Sequence, residues 1–119
     1  MISGKRVLIT GGAGFIGTSL ALRLIEANEV VLYDNLHRDA FTGSPLDGHP
    51  QVTFIRGDVM DRDALGRAMR GCQIVVHMAS IAGVDTVMNN PVLTMKVGLL
   101  GTYHALECAH LAGGVERFI

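Results

Sequence analysis

The chain has 119 residues, 49% of them hydrophobic and 18% charged, with a formal net charge of −1. That composition suits one globular domain and leaves no basic surface of the kind nucleic acid requires. No apolar run reaches the ~18 residues of a membrane span, and Met1-Ile2-Ser3-Gly4-Lys5 leads into a strand pattern rather than a secretory leader. Cys72 and Cys108 show no metal-type spacing and suggest no disulfide framework, so a reducing cytoplasm is the expected location.

The first strand is expected near residues 5–10, where Val7-Leu8-Ile9 is continuously apolar. The run Thr10-Gly11-Gly12-Ala13-Gly14-Phe15-Ile16-Gly17 follows it and opens a helix expected near 14–27. Strand, glycine turn and helix form the context in which such a run binds a dinucleotide. Gly11 allows a tight turn, Gly14 allows backbone N–H groups to approach a pyrophosphate, and Gly17 allows close packing of the helix. Phosphates would then sit at the helix N-terminus, where unpaired N–H groups and the helix dipole favour anions. The alternative is a tight turn with no ligand.

Val30-Val31-Leu32-Tyr33 reads as a second strand. It ends at Asp34, at about the 20-residue offset expected for a carboxylate that accepts from both ribose hydroxyls. A 2′-phosphate there would meet a like charge, so Asp34 favours NAD over NADP, while nearby Arg38 keeps NADP as a minority reading. Residues 35–50, rich in Gly, Pro, Ser and Asp, are expected to form a loop before a third strand near 52–56. Asp61 is expected to cap a helix near 61–70, with Ala64, Leu65, Ala68 and Met69 as its apolar face. The trio Asp58, Asp61 and Asp63 lacks the glycine and glutamate of a calcium loop. A fourth strand is expected near 73–78, a long helix near 90–112 and a fifth strand from Val115 to Ile119. Continuously apolar strands alternating with helices predict an α/β fold, a doubly wound parallel sheet with helices on both faces. Residues 1–119 are expected to form one nucleotide-binding domain, interrupted within its fifth strand.

Taken together, Thr-Gly-Gly-Ala-Gly-Phe-Ile-Gly at 10–17, Tyr33-Asp34-Asn35-Leu36, Gly57-Asp58-Val59, His77-Met78-Ala79-Ser80 and Gly101-Thr102 resemble the extended short-chain dehydrogenase/reductase family. Its members include the NAD-dependent epimerases and dehydratases of nucleotide sugars. The resemblance implies NAD contacts from Gly11, Gly14, Phe15, Ile16, Gly17, Asp34 and Asn35. It further implies that the Asp58 side chain meets the adenine amino group and the Val59 backbone the ring. The loop carrying Ala79, Ser80 and Ala82 would lie against the nicotinamide-side ribose and the pyrophosphate. A UDP- or dTDP-linked sugar is the implied substrate, and a homodimer built through the helix near 90–112 the implied assembly. That helix carries apolar residues on both sides of a polar stripe formed by Lys96, Tyr103, Glu107 and His110, more than one sheet face requires. Gly98 stands where the family usually has an asparagine.

The family's reaction uses a tyrosine with a lysine four residues later, the lysine depressing the tyrosine pKa. Here His37 follows Tyr33 by that interval and Glu107 follows Tyr103, while the only lysines are Lys5 and Lys96. No catalytic residue is therefore expected among these 119. The chain reads either as the cofactor-binding part of a longer epimerase or dehydratase or as a stand-alone dinucleotide-binding module. A methyltransferase with a similar sheet is disfavoured by the glycine spacing. His77 is expected to pack or satisfy a neighbour. His104 and Cys108, one helical turn apart, are expected to pack, because two ligands do not make a metal site.

Overall fold

Val7, Leu8 and Ile9 are each at most 1% exposed because strand β1 (Arg6–Thr10) lies at the centre of a sheet covered on both faces. The computed structural model describes residues 1–119. After β1 come α1 (Phe15–Leu24), β2 (Glu29–Asp34), β3 (Val52–Arg56), α2 (Arg62–Met69), β4 (Ile74–His77), α3 (Val84–Asn89), α4 (Pro91–Ala112) and β5 (Arg117–Phe118). The sheet order is β3-β2-β1-β4-β5, and every adjacent pair is parallel. This is the doubly wound α/β arrangement, and its order reverses between β1 and β4. A ligand crevice in such a sheet lies beyond the carboxyl ends of the strands at that reversal.

Alternate residues of the central strands feed two separate cores. Leu8, Val31, Tyr33 and Val75 pack with Leu65, Met69, Ala105 and Cys108 beneath α2 and α4. Val7, Ile9, Val30, Leu32, Ile74 and Val76 pack with Ala13 and Ala21 of the α1 side. Both faces being buried explains why these strands read as unbroken apolar runs.

Besides β5, which covers only Arg117–Phe118 of the expected 115–119, three features depart from the sequence expectation. The first helix stops at Leu24 rather than near 27, since residues 25–28 turn to bring Asn28 under the start of the sheet. There Asn28 Oδ1 accepts from the Lys5 N–H at 3.1 Å. The segment 35–50 has no regular structure, yet Phe41 and Leu46 are buried in the second core. Phe41 stacks on Phe54 with ring centroids 4.7 Å apart, so this segment covers the face that a crossover helix between β2 and β3 would cover. The third departure is α3, a six-residue helix that buries none of its residues. By contrast, Asp61 does cap α2, its carboxylate accepting from the Ala64 N–H at 3.0 Å. Gly113 closes α4 in the left-handed conformation that glycine adopts most readily.

Candidate functional site

The glycine turn sits at the carboxyl end of β1, beside the reversal in strand order. Gly11 has φ +70, and a Cβ there would lie 3.0 Å from the Ala79 nitrogen, so the turn and the β4–α3 loop lie back to back. Gly17 is buried, and a Cβ on it would stand 2.6 Å from the Gly11 oxygen and 2.7 Å from Gly12 Cα. It therefore packs α1 onto the turn itself. Gly14 differs from both: an added Cβ would meet only the Gly11 oxygen, at 3.3 Å. Apart from that oxygen, no atom stands within 4 Å of the added Cβ.

The N–H groups of Phe15, Ile16 and Gly17 donate to no protein acceptor, as expected for the first turn of a helix. No acidic residue occupies that turn of α1, and Phe15 and Ile16 are exposed. The end of α1 thus presents unpaired donors and the positive end of a dipole to the crevice.

Asp34 ends β2 and is tied into the turn. One carboxylate oxygen accepts from Ala13 N–H at 3.0 Å and the other from Leu36 N–H at 2.8 Å. Each oxygen keeps a second lone pair, so the group can still accept from a ligand hydroxyl. Asn35 is exposed, and its side-chain oxygen accepts from the His37 N–H at 3.0 Å. Behind it Gly57 N–H donates to the Asp34 carbonyl at 3.0 Å, bringing the end of β3 alongside. There Asp58 is exposed, with its carboxylate accepting from Met60 N–H at 2.9 Å. Val59 is 5% exposed, and its carbonyl accepts from His104 Nδ1 at 2.9 Å.

Ala79, Ser80 and Ala82 leave β4 on the other side of the turn, and Ser80 and Ala82 are exposed. Arg38 reaches this loop rather than the Asp34 carboxylate: its guanidinium donates to the Ala82 carbonyl at 3.0 Å. The two loops flanking the glycine turn are thereby joined.

Gly12 is a site-shaping residue that the spacing argument passed over. A Cβ there would press within 2.8 Å of Leu32 Cδ2 and 2.9 Å of the Ile9 oxygen. The doubled Gly11-Gly12 was the available signal, but the obstructing atom belongs to a neighbouring strand.

Neither tyrosine is placed as a base. Tyr33 is 1% exposed and donates from its hydroxyl to the Asp58 carbonyl at 2.9 Å. Burial first, then the Asp61 and Asp58 carboxylates, push its pKa up to about 12, opposite to what a tyrosinate requires. Tyr103 is exposed on α4 with its hydroxyl toward Glu107. Tyr33→Phe should cost about 1 kcal/mol of stability near neutral pH through the lost hydrogen bond. The raised pKa favours the folded state fully below about pH 10, and that advantage is lost as pH rises toward 12. Urea unfolding at neutral and alkaline pH should thus show the phenylalanine variant weaker at pH 7 but more resistant to alkali.

His104 and Cys108 each have a structural partner, the Val59 carbonyl and the Arg62 carbonyl respectively. Both cysteines are buried and unpaired, and burial raises both thiol pKa values. No helix is long and apolar enough to cross a membrane.

The comparisons with known proteins agree with this geometry. The sequence pattern of the NAD dependent epimerase/dehydratase family matches residues 7–119. A putative UDP-glucose 4-epimerase of Methanocaldococcus jannaschii is 35% identical over 85% of this chain and 32% of its own length. A UDP-N-acetylglucosamine 4,6-dehydratase (inverting) of Campylobacter jejuni is 30% identical over 100% of this chain and 36% of its own. Among solved structures, a dTDP-glucose 4,6-dehydratase from Streptomyces venezuelae with NAD bound superposes with a TM-score of 0.86 at 34% identity, covering 95% of this chain and 38% of that one. The chain thus spans about a third of the length of these relatives. Its strand order, its glycine turn and a pattern match over nearly its whole length lead to one conclusion: the chain belongs to the NAD dependent epimerase/dehydratase family.

Proposed function

We propose that this chain is the NAD-binding portion of a longer nucleotide-sugar epimerase or dehydratase acting on a UDP- or dTDP-linked hexose. The observation that carries the reading is the pairing of three unpaired N–H groups at the start of α1 with the Asp34 carboxylate anchored beside them. The open space at Gly14 fits a pyrophosphate, and the exposed carboxyl end of β3 at Asp58 fits the adenine. NAD, when bound, supplies the acceptor and later the donor for a hydride at a sugar carbon. The chain's own residues hold and orient it: Gly11, Gly14, Phe15, Ile16 and Gly17 through backbone at the pyrophosphate, and Asp34 and Asn35 at the adenosine ribose. Asp58 and Val59 flank the adenine, while Ala79, Ser80 and Ala82 line the nicotinamide side. The family's Tyr-x-x-x-Lys pair is absent from these 119 residues, so proton removal belongs to the rest of the longer protein.

Titrating the complete protein with NAD and with NADP tests the cofactor assignment; tighter NADP binding overturns the Asp34 argument. Turnover of UDP- and dTDP-hexoses by the complete protein, with none above background from residues 1–119 alone, tests the division of labour. Turnover by the 119-residue chain would place a catalytic group among residues assigned here to binding or packing.

The assembly we propose is a homodimer through α4. Its buried face is Gly101, Ala105 and Cys108, yet Leu93, Met95, Leu99, Leu100, Leu106 and Leu111 are all 41–70% exposed. An apolar surface of this kind marks a partner. Sedimentation of the complete protein should show a dimer at micromolar concentration; monomer alone at that concentration rules it out.

A further inference from the structure

His77 uses both ring nitrogens, and the hydrogen-bond count fixes what each one does. Thr10 Oγ1 accepts from Met78 N–H at 3.1 Å, a donor it shares with the Thr10 carbonyl at 3.2 Å, and from Ala79 N–H at 3.2 Å. Those two bonds fill its lone pairs, so its own hydrogen donates to His77 Nδ1 at 2.8 Å. Nδ1 is then an acceptor, and the ring proton sits on Nε2. From there it donates to Thr102 Oγ1 at 3.1 Å, and the Thr102 hydroxyl donates to the Gly98 carbonyl at 2.7 Å. One chain of bonds thus runs from the last residue of β1, through the end of β4, into the middle of α4.

Its location gives this chain of bonds a purpose. Thr10 directly precedes Gly11, and Met78 and Ala79 begin the loop that lies against Gly11. We propose that His77 is a positioning residue for cofactor binding: as the neutral Nε2–H tautomer it orients the Thr10 hydroxyl, which pins the start of the Ala79–Ala82 loop against the glycine turn. The inference rests on the reading of that turn and loop as the NAD site. Burial lowers the His77 pKa, which keeps the ring in the neutral form this arrangement needs. Gly98 contributes only its carbonyl to the last bond.

A residue that merely filled space would be replaced well by phenylalanine. Here His77→Phe leaves the Thr10 hydrogen without an acceptor inside the protein, whereas His77→Asn restores an acceptor near the Nδ1 position. In the complete protein, His77→Phe should weaken NAD binding about tenfold, as expected for one buried polar group left unpaired. His77→Asn should restore most of that affinity. Thr10→Val should weaken NAD binding at least as much as His77→Phe, since it also takes the acceptor from Ala79 N–H, and adding His77→Phe to it should cost less than the two single effects summed, because the pair shares one bond.

Two readouts stand apart from NAD. Hydrogen exchange at the Ala79 amide, whose only acceptor is the Thr10 hydroxyl, should accelerate in His77→Phe and Thr10→Val and stay slow in His77→Asn, while Met78 N–H keeps the Thr10 carbonyl in all three. The ¹⁵N spectrum of labelled histidine should show His77 with one protonated and one bare ring nitrogen, the protonated one being Nε2. If the parent binds no dinucleotide, the site reading fails while exchange and tautomer still decide the hydrogen-bond assignment. Unchanged Ala79 amide protection in both His77→Phe and Thr10→Val, or an Nδ1–H tautomer, overturns the proposal. So does an asparagine variant that binds NAD no better than the phenylalanine one.

Discussion

Replacing Asp34 by alanine should raise the dissociation constant for NAD by about tenfold to 150-fold, the equivalent of 1.5–3 kcal/mol for hydrogen bonds to a charged acceptor. The direct loss is the ionised acceptor for the ribose hydroxyls. A second loss follows, since the same carboxylate holds Ala13 N–H and Leu36 N–H. Alanine leaves both donors to find water, and the turn loses its anchor to β2. Asparagine keeps one oxygen and loses the charge, so the expected order of NAD affinity is Asp, then Asn, then Ala. Titration calorimetry with NAD and NADP on all three proteins checks this. An alanine variant that binds NAD as tightly as the parent removes Asp34 from the site.

The glycine turn should separate two effects when Gly14 and Gly17 are changed independently. Gly17→Ala would ordinarily stabilise a helix by about 0.5–1 kcal/mol. Here the new methyl meets the backbone of Gly11 and Gly12 at 2.6–2.9 Å, where no flexible side chain can yield. Moving α1 off the turn should cost about 1–3 kcal/mol of stability, in the range found for overpacked cores. NAD binding should fall as well, because the same N–H groups move. Gly14→Ala meets only one backbone oxygen, at 3.3 Å, so it should lose clearly less stability than Gly17→Ala. Its methyl enters the open space assigned to the pyrophosphate, and NAD affinity should drop by tenfold or more, about 1.4 kcal/mol. Urea unfolding beside NAD titration distinguishes the two. Equal stability losses would mean that Gly14 is a packing glycine like Gly17.

Sheet and site were legible in the sequence to different degrees, and the reasons are physical. Val7-Leu8-Ile9 and Ile74-Val75-Val76 read as strands because burial on both faces demands continuous apolar character. The same logic gave the parallel class, and the glycine run then located the switch point. The helix Val84–Asn89 was not legible: it is short, has no side-chain cap, and buries no face that would impose a period. Burial of Phe41 and Leu46 was equally hidden, since an irregular segment carries no repeat to read. Asp34 was found by its offset, but its grip on Ala13 was not, because that bond joins the end of β2 to the turn after β1, which only the paired strands bring together. Gly12 escaped for a related reason, as did the partners of His77, a residue that the sequence did mark as satisfying a neighbour. What constrains them are atoms of Leu32, Thr10 and Thr102, which only the fold brings near.

The central place of β1 also bears on how the chain folds as it is made. β1 pairs on one side with β2, but its other partner, β4, brings His77 to Thr10 from 67 residues away. At synthesis rates of ~5–20 residues per second, that edge stays open for about 3–13 s on the ribosome. During the interval the nascent protein presents Val7, Leu8 and Ile9 on a strand with one edge open, the kind of template on which other chains add. Slow decoding between β2 and β4 would lengthen this exposure. Faster translation of the same stretch, or a chaperone that shields the first strand, should therefore raise the soluble yield without altering a single contact of the native state.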